Sequence, residues 1–472
     1  MSLSERSALE LTALIARREV KPSEVIAAHL DRIAAVNGAV NAVVALRDAD
    51  AIMRDARAMD DAAPRGALWG LPLAVKDLLQ TKGIRTTFGS PLWRDHVPGA
   101  DDLLVARMKA AGALVIGKTN TPEWGHGSHT FNPVWGATRN PYDLARSAGG
   151  SSGGAAAALA ARMVPLADGS DMMGSLRNPA AFCNVYGFRP SWGLVPVDAG
   201  YESFIDTLAT EGPMARDVAD LALLLSVQAG PNPLTPFGLA PQDYLAAVRG
   251  APDDLKGKRL AWLGDWGGAL PFEPGILALC EAALAQMADL GAEVVALPPP
   301  FPLEEIWQAW ITLRSFLNHA NRRADLADPA RFAQLKPETQ WEIESGARIT
   351  AEAVFDASQI RSRWYAKAHE ILAEYDALIL PSAQVWPFPI EWRWPESIDG
   401  RAMDTYHRWM EVVVPVSLIG LPALNVPVGF GAEGLPMGMQ IAGRHGADTD
   451  MLRIGEAWHR ATRWPQQRPP VL

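Results

Sequence analysis

Apolar residues recur along this chain at two spacings, and the spacing predicts the element. Near the start, Leu11, Leu14 and Ile15 fall at helical intervals among polar neighbours, which predicts a helix over about 4–17. Similar patterns predict helices at about 22–36, 47–61 and 101–112. Short continuous apolar runs predict buried strands. One leads into Lys76 in GLPLAVKDLL, a second is ALVIGKT, and others lie at 259–263 (RLAWL) and 376–380. Residues 153–162, GGAAAALAAR, open with glycines and continue in alanine. A helix is therefore expected to begin directly after Ser151 and Ser152, its N-terminus adding positive potential there. Helices alternating with strands indicate a layered α/β fold. The 472-residue length alone would allow about three domains, yet no linker, low-complexity stretch or internal repeat divides the chain.

Charge changes this picture little. The chain carries 43 basic and 53 acidic residues, a net charge of −10. No basic run interleaved with aromatics points to nucleic acid. No apolar run reaches the roughly 18 residues of a membrane-spanning helix. Glu5, Arg6 and Glu10 interrupt the N-terminal apolar positions, unlike a signal peptide. Cys183 and Cys280 sit in apolar segments and read as reduced core residues, and Cys183 lacks an evident base. A cytoplasmic location is the expectation. His126 and His129 lie three apart in GHGSHT, but no third metal ligand follows at clear spacing. No metal or other cofactor is expected.

The chemistry concentrates in AGGSSGGAAAALAARMVPLADGSDMMGSLRNPAAFCNVYGFRP, which holds Ser151 and Ser175 in glycine-rich backbone. A serine hydroxyl is a weak nucleophile until a base takes its proton. A lysine is such a base only when neutral, and apolar surroundings favour that form. Lys76 has Leu71, Leu73, Val75, Leu78 and Leu79 around it. Glycine turns let successive N–H groups converge on a developing oxyanion. From the residues alone, GGSSGG also fits a flexible loop and Lys76 a snorkelling side chain. The phosphate-loop pattern G-x-x-x-x-G-K-[ST] is absent.

Several ordered motifs carry a resemblance further. GATRNP (136–141), GGSSGG (149–154), GSDMMGSLRNPA (169–180) and GFRP (187–190) follow one another, preceded by GLPLAVKD (70–77) and GKTNTPEW (117–124). YDALILPSA (375–383) and GLPALNVPVGF…GLPMGMQIAGR (420–444) lie downstream. Together these resemble the amidase signature family across most of the chain. The resemblance implies one α/β domain over 1–472, a mixed sheet flanked by helices. Within it would lie an N-terminal helical segment (1–62), a catalytic core (70–200) and a variable substrate-pocket segment (300–400).

The same resemblance implies roles. Ser175 would be the nucleophile, Ser151 a bridging serine after a cis peptide bond, and Lys76 the neutral base. The N–H groups of Met172, Met173, Gly174 and Ser175 would form the oxyanion hole. Ser152, Asp171 and Arg177 would brace the loops. One departure stands out: the family usually has glycine where this chain has Met173. Methionine tolerates positive φ poorly, so the turn must allow negative φ there or carry strain. Packing beneath the loop fits Met172 better than Met173.

For the pocket, His126, His129, Phe131 and Trp135 are candidates, lying in a loop that lines the acyl site in resembling proteins. The chain has 17 tryptophans. Trp307, Trp310, Trp341, Trp386, Trp392 and Trp394 fall in segments the family uses variably, and aromatic walls favour apolar or aryl groups. Pro387 to Pro395 would form a loop over the site. The expected activity is hydrolysis of small to medium hydrophobic or aryl amides, with ester activity, by a monomer or homodimer. A carbamate hydrolase would use the same parts. A glutaminase-type subunit of a tRNA-dependent amidotransferase is a further reading, weakened by Met173 and by the lack of a visible partner. A catalytically silent binding protein is opposed by the presence of all three side chains.

Overall fold

The computed structural model describes residues 2–198 and 202–472. Met1 of the expected 1–62 segment, and residues 199 and 200 closing the expected 70–200 core, lie outside the described residues. The N-terminal helices form where local signals place them. Helix α1 (Ala8–Ala16) begins at Ser7, whose side chain accepts from the Glu10 N–H while Glu10 reaches back to the Ser7 N–H. Ala8, Leu11 and Ile15 are buried, whereas Leu14 is only half-buried. Helix α2 (Pro22–Val40) starts with proline at its first turn and runs past the expected end at 36. It stops where Asn41 turns left-handed, at φ 57°. Helix α3 (Ala49–Asp60) is capped by Asp48, and α4 (Leu103–Ala110) follows the predicted pattern.

Two sheets meet at the site. The smaller pairs strand β1 (Pro72–Lys76) in parallel with β2 (Leu114–Thr119), with Val43–Val44 antiparallel on the far side of β2. Lys76 lies opposite Thr119, at the C-terminal end of β1. The larger sheet has eight strands: β3 (Leu166–Asp171), β4 (Tyr186–Arg189), β5 (Thr210–Ala215), β6 (Arg259–Trp262), β7 (Glu293–Ala296), β8 (Ala377–Pro381), β9 (Ala423–Phe430) and β10 (Pro436–Ala442). Their order is β7-β6-β8-β10-β9-β4-β5-β3. The β7-β6-β8 end is parallel and the rest antiparallel, so the sheet is mixed. Strands β8 and β10 are buried along their whole length, which is why their sequences, Gln440 apart, are apolar runs rather than alternating ones. No helix among the described residues is long and apolar enough to cross a membrane.

The sheets touch where the Lys76 N–H reaches the Asp168 carboxylate on β3, 3.2 Å away. Helix α5 (Gly153–Ala160) is buried at every residue, and its small side chains make that possible. A Cβ at Gly154 would run into the Asn120 backbone. Helix α6 (Arg177–Phe182) follows Ser175 and is also wholly buried. Cys183 and Cys280 are buried free thiols, and burial pushes both up, away from the reactive thiolate.

Candidate active site

Lys76 closes β1 fully buried, and its Nζ is ringed by three hydroxyls. It lies 2.8 Å from Ser151 Oγ, 2.9 Å from Ser152 Oγ and 2.8 Å from Ser170 Oγ. Ser151 follows a cis Gly150–Ser151 peptide. Burial pushes the Lys76 ammonium down to about 8, against the opposing pull of Glu211, Asp168 and Asp171. The ring of hydroxyls suits both protonation states. An ammonium donates to all three, and an amine donates to two while its lone pair accepts from the third.

Ser175 lines the same cavity of about 180 Å³ as Ser151, Ser170, Met172 and Glu211. Among the described residues, nothing hydrogen-bonds its hydroxyl, so the structure brings Ser151 and Ser175 to one cavity without joining them. The turn before Ser175 takes its positive φ at Gly174 (78°), not at Met173, which removes the strain that a methionine there would carry. Met173 is the buried methionine, in the main core. Met172 is half-buried, with Sδ 3.1 Å from Arg314 Nη1. The expected assignment of the two is thus reversed. The Gly174 N–H is turned onto Asp171 Oδ1 at 2.8 Å, so it does not face the cavity as an oxyanion donor. Among the described residues, no acceptor meets the N–H groups of Met172, Met173 and Ser175.

Asp171 organises this turn. It accepts from the Gly174 and Leu176 N–H groups and is paired with Arg177 (2.9 Å) and Arg189 (3.1 Å), all three side chains being fully buried. Burial pushes the Asp171 carboxyl up, but Arg177 and Arg189 outweigh it and hold it well below the usual range. Arg177 also donates to Ser417 Oγ and Gln440 Oε1. Ser152 exchanges longer contacts with the Ser170 backbone.

Of the four expected pocket residues, only His126 lines this cavity. Its Nε2 donates to Asn318 Oδ1 (3.3 Å) and its Nδ1 accepts from Thr339 (3.0 Å). Burial pushes it down to about 3, so it is neutral. His129 is held away by Ile390 O (3.1 Å) and the Ser147 hydroxyl (2.9 Å), and burial pushes it down to about 4. Phe131 lies under Lys336, whose Nζ is 4.0 Å from the ring centre. Trp135 is anchored by Nε1 to Asp77 (3.0 Å) and Thr87 (2.9 Å).

The variable tryptophans do not wall the cavity either. Trp307 and Trp310 are buried core residues. Trp386 and Trp392 line a separate, larger groove of about 850 Å³ that contains none of Ser151, Ser152, Ser170 and Ser175. The Pro387–Pro395 loop, expected over the site, contributes no residue to the lining of this cavity; its Phe388 O accepts from the Ser147 N–H (2.8 Å). The aromatic on the cavity wall is Trp124, stacked on Phe88 at 4.6 Å and covered by Arg322. Sequence reasoning also missed Ser170, Glu211, Arg314 and Asn318. Ser170 had a signal, standing beside Asp171 in the GSD motif. The others had none, because only the tertiary fold brings them in.

A lysine among serine hydroxyls, beside a turn of open N–H groups on a mixed α/β sheet, defines a class. The sequence profile of the Amidase family matches residues 24–452. An acylamidase of Rhodococcus erythropolis is 35% identical over 477 residues, covering 98% of this chain and 97% of that protein. A component of the glutamyl-tRNA(Gln) amidotransferase of Moorella thermoacetica is 35% identical over 502 residues, covering 100% and 99%. The crystal structure of a bacterial aryl acylamidase superposes with a TM-score of 0.90 at 29% identity, covering 98% of this chain and 97% of that one. The chain belongs to the amidase signature family. It is an amidase, a hydrolase acting on the C–N bonds of amides.

Proposed function

We propose that this amidase cleaves small to medium hydrophobic or aryl amides through Ser175, with Ser151 and Lys76 as a proton relay. The observation that carries the reading is the 2.8 Å contact between Lys76 Nζ and Ser151 Oγ, in a buried site whose cavity Ser175 shares. Ser175 Oγ attacks the carbonyl carbon. Its proton passes to Ser151, whose own proton passes to the neutral Lys76 amine. This requires the free Ser175 hydroxyl to swing onto Ser151 when substrate binds. The N–H groups of Met172, Met173 and Ser175 receive the oxyanion. The C–N bond then breaks, and the relay run backwards protonates the departing amine. Water attacks the acyl-enzyme by the same route and restores Ser175. Ser152 and Ser170 hold Nζ in place throughout.

The Rhodococcus relative supports an acylamidase reading, and the aryl acylamidase structure supports an aryl amine as leaving group. Carbamate hydrolysis uses the same steps on a urethane carbonyl. The test is release of aromatic amine from a matched aryl amide and aryl carbamate. Cleavage of the amide in preference upholds the reading, and preference for the carbamate replaces it with a urethanase. Ammonia release from glutamine without either would favour the amidotransferase reading that the Moorella relative raises.

The relay predicts a pH dependence. Only neutral Lys76 can accept a proton, and its neutral fraction grows as pH rises through about 8. Plots of kcat/KM should therefore climb from neutral to alkaline pH and level off above that value. A profile that is flat or falling there would exclude Lys76 as the base.

A further inference from the structure

Glu211 is the unattached acid of this neighbourhood. It lies on β5 directly across the antiparallel ladder from Ser170 on β3. Residues paired in this way point to the same face of the sheet. Ser170 accepts from Lys76 Nζ at 2.8 Å, and Glu211 lines the cavity shared by Ser151 and Ser175. Glu211 Oε2 is buried without a hydrogen bond among the described residues. Other charged groups around Lys76 are committed elsewhere. Asp168 takes the Lys76 backbone N–H, and Asp171 is paired with Arg177 and Arg189. Asp77 accepts from Thr87 and Trp135, and Asp102 accepts from the Gln80 N–H. Lys118 on β2 donates to Leu79 O and Thr81. Arg314, on the opposite wall, is held by Glu342 and Tyr406. Glu211 as a whole is half-buried on the cavity wall, but a carboxylate oxygen buried without a partner is costly and calls for a role.

We propose that Glu211 is a positioning residue that shares one proton with Lys76 and thereby sets the pH range in which Lys76 serves as a base. The inference rests on the relay reading of Lys76. In one form, Nζ holds the proton and the carboxylate is charged. In the other, an Nζ–H bond has broken, a carboxyl O–H has formed, and both groups are neutral. Ser170 is bonded to Nζ and lies across the ladder from Glu211, so a turn of the Glu211 side chain onto its hydroxyl, which the transfer requires, would let it carry the proton between them. The total charge is the same in both forms, so the exchange needs no proton from bulk water. The neutral form leaves the Lys76 lone pair free for Ser151 before substrate arrives. Burial favours it from both sides, pushing Lys76 down and Glu211 up.

The experiment compares wild type with Glu211→Gln and Glu211→Met, which remove the charge with different shapes, and with Glu211→Asp, which keeps it. Protonation of Lys76 is read directly by NMR of 13Cε-lysine-labelled protein, its signal assigned by its loss in Lys76→Met. The kcat/KM profile on an aryl amide is recorded in parallel. A carboxylate favours the charged amine, so the Lys76 midpoint should fall by about half a pH unit or more in Gln and Met and stay near wild type in Asp. The acid limb of the profile should move with it, raising relative activity below the midpoint several-fold. An unmoved or raised Lys76 midpoint in both uncharged variants overturns the proposal. A midpoint that falls while the activity limb stays fixed upholds the proton sharing and overturns the relay reading instead.

Discussion

Replacing Ser175 by alanine is expected to abolish amide hydrolysis, lowering kcat by roughly 10,000-fold or more, while leaving the thermal midpoint near that of wild type. The hydroxyl has no hydrogen-bond partner among the described residues, so its removal takes no support from the fold. Lys76→Met, which keeps the volume of the buried side chain, should cost nearly as much. Members of one relay act as a unit, so the double variant should be no slower than the worse single one. Steady-state release of aromatic amine and covalent labelling of Ser175 by a phosphonate give the two readouts. Near-normal turnover in Lys76→Met, or losses that multiply in the double variant, would dismantle the relay.

Asp171→Ala should give the largest loss of stability. It strands Arg177 and Arg189, both fully buried, with no counter-charge. Breaking a buried ion pair from one side costs about 3–5 kcal/mol. Typical domains have only about 5–15 kcal/mol in total. Urea unfolding should show the loss, and a change below about 1 kcal/mol would mean the arginines find other partners. Asp171 is held below its ordinary range when folded. Its contribution is therefore complete above the unfolded carboxylate pKa and fades only as pH falls through the depressed folded value. The variant should accordingly lose its disadvantage in strong acid and keep it at neutral pH.

The parts of the fold legible in the sequence were those written locally. Ser7, Pro22 and Asp48 announce their helices, and the apolar run before Lys76 announces its strand. The meeting of Lys76 with Ser151 was accessible only through the motif resemblance, because it joins residues from different sheets and loops. Met172 and Met173 were exchanged because the direction of a turn depends on which residue takes positive φ, and Gly174 took it. Trp135 and His129 looked like pocket residues by position, yet each had a stronger partner elsewhere, Asp77 and Ser147. Glu211 stayed invisible because its importance depends on strand pairing. Nothing in TEGPMA says that it will lie across from Ser170.

Arg314 and Asn318 come from the helix Leu303–Leu326, far along the chain from the serines; Arg314 meets the turn before Ser175 at Met172, and Asn318 meets the loop that carries His126. The cavity wall is therefore assembled from separate pieces of polypeptide. An engineer seeking a new substrate range can vary Asn318 and its neighbours on that helix, keep Arg314 because it touches Met172, and leave the lysine and the serines untouched. Combinatorial libraries confined to those positions would explore selectivity without gambling the chemistry.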